Sequence, residues 1–171
     1  MEEVTENRKV VKADSNSPLI SLIVFKLGGE EYGIRIEQVK EVTITPPITK
    51  MPKTAAFIRG VANIRGDIIA IMDLEERFKI PTSLNHTEGR KHTYTLVVER
   101  QNYSIGLVVK EVPQTLTLSI TDIDKTPTIL QDLNINEKYI DGIGKVDKRL
   151  IIILDIYKIL TSEEEQQLMK Q

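Results

Sequence analysis

The fold is decided by the stretch FIRGVANIRGDIIAIMDL, which runs from Phe57 to Leu74. It predicts two short strands joined by a tight turn at Gly66-Asp67, because such a pair between β-branched residues is a strong hairpin signal. The pattern returns as IDGIGKVDKRLIIILDI from Ile140 to Ile156, where Gly142 and Asp155 match Gly60 and Asp73 and the apolar positions match without a gap. An internal repeat of this kind indicates one supersecondary unit that is used twice.

A second pair of blocks precedes the two hairpins in the same order. The run Tyr32-Gly33-Ile34-Arg35-Ile36, with Val39 following, lines up with Ile105-Gly106-Leu107-Val108-Val109, with Val112 following. Each half therefore predicts about five short strands, and closure into a barrel removes strand edges that so small a unit could not otherwise cover. We predict an all-β fold of two five-stranded β-barrels packed together, with short helices and a C-terminal helix. A β-sandwich built from both halves is the alternative.

The composition of the two chain ends predicts where the folded domain begins and ends. Residues 1–17 are polar and lack periodicity, so we expect a mobile N-terminal tail. Residues 161–171 are polar and acidic and are expected to form a C-terminal tail. The domain is therefore predicted over residues 18–160.

Within this domain, the stretch from Ile80 to Lys91 contains proline, glycine and asparagine and predicts a linker. We expect residues 18–80 and a C-terminal segment to form the first barrel, and residues from about 92 to 140 the second. A strictly sequential division at the linker remains open. Short helices are predicted from Asp73 to Phe78, where Asp73 caps the first turn, and from Asp155 to Leu160.

Composition also restricts the function. The formal net charge is −2 and aromatic residues make up 5% of the chain, which argues against phosphate neutralisation and base stacking. There is no cysteine, no cationic and apolar leader, and no apolar run of roughly 20 residues. We therefore expect a cytoplasmic protein without disulfides, without direct membrane insertion and without a nucleic-acid partner.

Catalysis finds no support in the sequence. His86 and His92 lie in or beside the linker, away from any acidic cluster, and a turn and a helix cap explain Asp67 and Asp73. No glycine-rich phosphate loop and no nucleophile elbow is present. We therefore expect no catalytic residues, no metal site and no cofactor. A small-barrel nucleic-acid-binding protein is the alternative class of function.

Several motifs together resemble those of the CheW family of bacterial chemotaxis coupling proteins. They are Phe25-x-Leu27-x-x-Glu30-Glu31-Tyr32-Gly33-Ile34-x-Ile36, Val39-x-Glu41-Val42, Ala56-Phe57-Ile58-Arg59-Gly60-Val61-x-Asn63-Ile64-Arg65-Gly66, Ile105-Gly106-Leu107-x-Val109 and Gly142-Ile143-Gly144. The resemblance covers about residues 19–160, and Lys110, Pro113 and Thr115 depart from the family pattern. It implies two SH3-like barrels and a non-catalytic adaptor that joins methyl-accepting chemoreceptors to the histidine kinase CheA at the membrane-associated receptor array.

The resemblance also implies which residues contact the two partners. The residues expected in the groove for the receptor's cytoplasmic tip are Ile36, Val39, Glu41, Gly60, Arg65, Gly106, Val109 and Val112. Those expected to contact the regulatory domain of CheA are Arg59, Ile68, Ile71, Leu150 and Ile153. We further predict that Arg65, in the hairpin turn, pairs with Glu41. Asp147 takes the place of Arg65 in the other copy of the hairpin.

Overall fold

The computed structural model describes residues 17–80, 92–100, 103–125, 137–161 and 163–165. Nearly all of the predicted N-terminal tail and linker, and much of the C-terminal tail, lie outside these residues. The strands are β1 (Leu19–Leu27), β2 (Glu30–Arg35), β3 (Val39–Ile44), β4 (Ile58–Ile64), β5 (Asp67–Asp73), β6 (Tyr94–Glu99), β7 (Ser104–Val109), β8 (Gln114–Ser119), β9 (Ile123–Asp124), β10 (Ile140–Val146) and β11 (Arg149–Leu154). The helix α1 spans Leu74–Arg77, and short 3-10 helices span Ile36–Gln38, Ile120–Asp122, Glu137–Tyr139 and Ile156–Lys158.

The strands form two small sheets, and each sheet closes on itself. In the first, with order β8-β1-β2-β11-β10-β9, the 3-10 helix Ile120–Asp122 joins β8 to β9, so that one bent strand pairs with both β1 and β10. In the second, with order β3-β6-β7-β5-β4, the backbone of Thr49 bridges to Val61 on β4 and closes the ring. We call the first the terminal barrel and the second the central barrel. The predicted all-β fold of two SH3-like barrels is confirmed.

The division of the chain between the barrels differs from the prediction. Strands β3, β4 and β5 belong to the central barrel with β6 and β7, not to the barrel of β1 and β2. The expected return of the C-terminal segment to the N-terminal strands is found, because β11 pairs with β2. The two repeats have thus exchanged their opening hairpins: β1–β2 completes the barrel of the second repeat, and β6–β7 completes that of the first.

The exchange rests on two equivalent parallel strand pairs. Gly33 on β2 lies opposite Ile153 on β11, and Gly106 on β7 lies opposite Ile71 on β5. A Cβ atom on Gly106 would lie 2.7 Å from the Ile71 Cδ1 atom, so the absence of a side chain allows the close approach. The same pairing of a glycine with an isoleucine occurs in both barrels, with the partners drawn from opposite repeats.

The largest apolar cluster lies between the barrels. It contains Phe25 and Tyr32 from the terminal barrel and Leu96 and Leu107 from the central barrel, all almost completely buried. Burial of each such side chain contributes about 1.5–3 kcal/mol relative to exposure. Burial also raises the pKa of Tyr32 to about 12, because the phenolate would be poorly solvated there. The barrels therefore stabilise each other, as their small individual cores require.

Two aspartates at equivalent positions begin the helical turns that follow β5 and β11. Asp73 Oδ1 accepts hydrogen bonds from the backbone N–H groups of Glu75 and Glu76, at 3.0 and 3.3 Å. Asp155 Oδ1 accepts from the N–H of Tyr157 at 3.0 Å. The predicted cap at Asp73 is confirmed, and the helix predicted from Asp155 to Leu160 is a 3-10 turn over Ile156–Lys158.

Two arginines hold the C-terminal segment against the rest of the molecule. Arg77 donates to the carbonyl oxygen of Ile159 at 2.8 Å and to the Glu164 carboxylate at 3.0 Å. Arg100 donates to the carboxylate of Glu165 and to the carbonyl oxygen of Ile156. The Glu164 and Glu165 side chains are therefore paired with arginines and are not fully solvated.

Candidate partner-binding site

The β4–β5 turn places Arg65 at the tip of a hairpin. Arg65 has a φ of 54° and Gly66 a φ of 90°, so both central residues are left-handed, as a type I′ turn requires. The Asn63 side-chain oxygen accepts from the Gly66 N–H at 2.9 Å and stabilises this turn. Asp147, at the equivalent position of the β10–β11 turn, also has a φ of 54°. The two turns therefore share a left-handed first residue, which carries opposite charges in the two copies.

The predicted contact between Arg65 and Glu41 is present. Arg65 Nε lies 2.7 Å from Glu41 Oε2 on β3, with 80% of the arginine side chain and 17% of the glutamate side chain exposed. The ion pair joins the hairpin tip to β3, and most of the guanidinium remains open to solvent. Exposed pairs contribute only about 0–1 kcal/mol to stability, so the main effect of this pair is on the orientation of Arg65.

Three of the apolar residues expected in the receptor groove are at least partly accessible. Ile36 lies in the 3-10 helix where the chain passes from β2 to β3, and Val112 lies in the segment 110–113, where it passes from β7 to β8. Both side chains are exposed, while Val39 is half-buried against the core between the barrels. The two places where the chain passes from one barrel to the other thus present apolar side chains.

Two other expected groove residues are inside the molecule. Val109 is 1% exposed because β7 is a central strand of its sheet, so the prediction that it lines a surface groove is wrong. Gly106 is also buried, with Ile71 and Thr95 packed against its α-carbon. Their effect on a partner could only be indirect, through the position of β7.

Gly60 has a backbone role in the closure of the central barrel. Its φ is 143°, and a Cβ atom there would lie 2.1 Å from the carbonyl oxygen of Thr49. Val61 donates to that oxygen at 2.9 Å, and Thr49 donates back to Val61 at 2.8 Å. Gly60 therefore lets the chain after β3 approach β4. It is buried and does not itself form a contact surface.

The residues expected to contact the kinase divide into exposed and buried pairs. Ile68 and Leu150, which are equivalent in the repeat, are 68% and 43% exposed. Ile71 and Ile153 are completely or almost completely buried in the parallel strand pairs that join the repeats. The prediction that these two contact a partner through a surface is therefore wrong.

The Arg59 side chain is exposed but is held by an ion pair with Asp73. Its Nε and Nη2 atoms donate to Asp73 Oδ2 at 3.0 and 2.6 Å. Because Asp73 also caps α1, the ion pair joins Arg59 to the end of β5.

An open cleft that the sequence did not predict lies beside Arg59. It is lined by Ile48, Lys50, Met51, Ala56, Ile58 and Arg59.

The sequence reasoning also missed two exposed apolar residues on β3. Val42 and Ile44 are 42% and 55% exposed and follow the partly buried Glu41 and Thr43 in alternation. The period-two pattern of this strand was the signal that could have identified them. They extend the accessible apolar surface of Ile36 and Val39 along the same strand. We define the groove face as Ile36, Val39, Glu41, Val42, Ile44, Arg65 and Val112.

A second ion pair shifts the pKa values of both of its side chains. Arg149, at the start of β11, donates to both carboxylate oxygens of Glu31 on β2, at 2.7 and 3.0 Å. The hydrogen bonds from Arg149 lower the pKa of Glu31. The same contact raises the pKa of Arg149. It supports the parallel pairing of β2 with β11.

Among the described residues, no group of three or more His, Asp or Glu side chains is arranged to hold a metal ion. No helix among them is long and apolar enough to cross a membrane. His92 is exposed, and His86 lies outside the described residues.

The chain is similar to known proteins over most of its length. A family model described as the CheW-like domain matches residues 21–164. The chemotaxis protein CheW of Klebsiella aerogenes is 34% identical over 142 residues, which cover 83% of this chain and 82% of that protein. The chemotaxis protein CheW of Helicobacter pylori is 32% identical over 152 residues, which cover 89% and 88% of the two chains.

A solved structure has the same fold. The crystal structure of the scaffolding protein TtCheW from Thermoanaerobacter tengcongensis superposes with a TM-score of 0.74 at 30% identity, and the match covers 89% of this chain and 95% of that one. This structural match agrees with the two-barrel architecture. The chain therefore belongs to the CheW-like domain family, whose matched members are named as chemotaxis and scaffolding proteins.

Proposed function

We propose that this protein is a non-catalytic chemotaxis adaptor that couples methyl-accepting chemoreceptors to the regulatory domain of the histidine kinase CheA. It acts in the cytoplasm, at the membrane-associated receptor array, through its contacts with receptors. Membership of the CheW-like family supports the adaptor class. The observation that carries the proposal is the ion pair of Arg65 with Glu41 on β3, the strand that also carries the accessible apolar residues Val42 and Ile44.

The groove face suits a helical receptor tip. An amphipathic helix binds through a row of apolar anchors, and Ile36, Val39, Val42 and Ile44 offer apolar surface for such a row. Arg65 adds a directed positive charge, because Glu41 holds its Nε atom and leaves most of the guanidinium exposed. An acidic or carbonyl group on the helix can accept from the remaining N–H groups and set its register.

The hairpin tips suit the second partner. Ile68 and Leu150 are exposed apolar side chains at equivalent places in the two barrels. A like-folded kinase domain can cover such a residue in a head-to-tail contact, and repetition of that contact links successive molecules. Transient signalling contacts of this kind commonly bury about 1,000 Å² or less, which is consistent with micromolar affinity.

Reconstituted kinase activity tests the coupling role. Autophosphorylation of CheA is measured with receptor-containing membranes, with and without this protein. We expect receptor-dependent activation only when the protein is present, and no phosphorylation of the protein itself. Activation that is the same without the protein would contradict the proposal. Binding of single-stranded oligonucleotides at low salt would instead favour the nucleic-acid-binding alternative.

A further inference from the structure

A buried carboxylate lies where the two barrels meet. Glu75, in α1, is 7% exposed, and both of its oxygens are used. Its Oε2 atom accepts from the backbone N–H of Gly28 at 3.1 Å. Its Oε1 atom lies 2.9 Å from the ammonium nitrogen of Lys110. Buried charges are stable only when they are paired in this way, so each contact depends on the other.

The three residues come from three different segments. Gly28 forms the β1–β2 turn of the terminal barrel, and Glu75 follows β5 of the central barrel. Lys110 is the first residue of the segment 110–113, through which the chain leaves the central barrel for the terminal one. Glu75 therefore ties the segment 110–113 to the exchanged hairpin β1–β2.

This tie bears directly on the groove face. Val112 lies two residues after Lys110 and is 62% exposed, so little packing of its own side chain holds it in place. Residues 110–113 belong to no strand or helix. The contact of Lys110 with Glu75 supplies a polar anchor beside Val112.

We propose that Glu75 is a positioning residue for receptor binding. Its carboxylate holds Lys110, and with it the exposed Val112, in the place where a receptor helix meets the groove face. The inference rests on the proposed function and extends it to a residue that does not contact the receptor. The kinase surface around Ile68 and Leu150 is independent of Glu75.

Lys110→Met is the first test variant, because it removes the ammonium group and keeps the apolar stem. Lys158→Met is the matched control, since Lys158 is 62% exposed and lies 3.8 Å from its partner Asp155. We expect Lys110→Met to weaken binding of a receptor-tip fragment about five- to tenfold, which is within the range for loss of a typical intramolecular hydrogen bond. Affinity for the CheA regulatory domain and both affinities of the control variant stay at the wild-type level.

Glu75→Gln tests the same contact from the other side. The amide oxygen still accepts from Gly28, but the charge that holds Lys110 is gone. We expect the same loss of receptor affinity as in Lys110→Met, and no further loss in the double variant, because all three changes remove one interaction. Additive losses, equal losses for receptor and kinase, or an unchanged receptor affinity in Lys110→Met would each overturn the inference.

Methyl NMR of Val112 separates this inference from the proposed function. We expect lower order parameters for the Val112 methyl groups in Lys110→Met than in the wild type or Lys158→Met, since the anchor of the segment is lost. Unchanged order parameters would overturn the positioning role, whether or not the receptor binds. A wild-type protein that binds no receptor tip, but whose segment 110–113 loosens in Lys110→Met, would refute the proposed function and leave the anchoring role intact.

Discussion

The Nε atom of Arg65 lies 2.7 Å from the Oε2 atom of Glu41 and joins the tip of the β4–β5 hairpin to β3. The glutamate side chain is largely covered, whereas the arginine side chain is mostly exposed. An exposed arginine in a left-handed turn position contributes little to the core. The contact therefore makes Arg65 an oriented surface group whose removal separates binding from folding.

Arg65→Glu is expected to weaken binding of the receptor tip while it changes the free energy of unfolding by only about 0.5 kcal/mol. The reason is that the substitution reverses the exposed charge and places two carboxylates together. Calorimetry and urea unfolding measure the two effects. The exchange variant Glu41→Arg with Arg65→Glu should recover part of the lost binding. A loss of the folded state in Arg65→Glu would instead identify Arg65 as structural.

Gly106→Ala tests the contact that joins the repeats. The new Cβ atom would lie 2.7 Å from both Ile71 Cδ1 and Thr95 Cγ2, so these buried side chains would have to shift. We expect a destabilisation of about 1–3 kcal/mol, as for overpacked cores. Addition of Ile71→Val removes the Cδ1 atom and should restore part of the stability in urea unfolding. If Gly106→Ala does not lower the free energy of unfolding, the neighbouring side chains can move aside without loss of stability.

Ile68→Glu and Ile71→Ala are a matched pair on the same strand. Ile68 is exposed, so Ile68→Glu should weaken binding of the kinase regulatory domain and leave the thermal unfolding temperature close to that of the wild type. Ile71 is fully buried, so Ile71→Ala should destabilise the fold by about 2–5 kcal/mol. Calorimetry and thermal unfolding separate the two classes. If Ile68→Glu and Leu150→Glu both bind the kinase regulatory domain as tightly as the wild type does, the hairpin tips are not the kinase surface.

The pair of Glu31 and Arg149 predicts an acid-dependent loss of stability. The pKa of Glu31 is lowered in the folded protein, chiefly by the hydrogen bonds from Arg149. The pair therefore stabilises the fold above the ordinary pKa of glutamate, and this contribution is lost as pH falls through the lowered value. Urea midpoints at pH 7 and in mild acid should differ less for Glu31→Gln than for the wild type. Equal pH dependence of the two proteins would exclude this contribution.

The duplicated hairpin made the fold class predictable from the sequence. Its turn and its cap at Asp73 are local features, and the structure has both, although the turn lies at Arg65-Gly66, one residue before the predicted Gly66-Asp67. The exchange of opening hairpins was not predictable in this way, because strand pairing between repeats depends on contacts far apart in the chain. The close approach of Gly106 to Ile71 is such a contact.

The candidate site was predictable only in part. The pairing of Glu41 with Arg65 was predicted and is present. Ile71 and Val109 were misplaced because β5 and β7 lie inside their sheet, so their apolar runs are buried on both faces and show no alternation. On β3, at the edge of its sheet, alternation does distinguish Val42 and Ile44 from Glu41.

Calorimetry with both partners tests the adaptor role most directly. The purified full chain is titrated with the CheA regulatory domain and with a receptor cytoplasmic-tip fragment, each at concentrations of up to about 100 μM, which would detect micromolar affinity. The account predicts binding to the kinase domain that Ile68→Glu weakens, and binding to the receptor tip that Arg65→Glu weakens. Absence of binding to either partner at these concentrations would contradict the account, even though the two-barrel fold would stand.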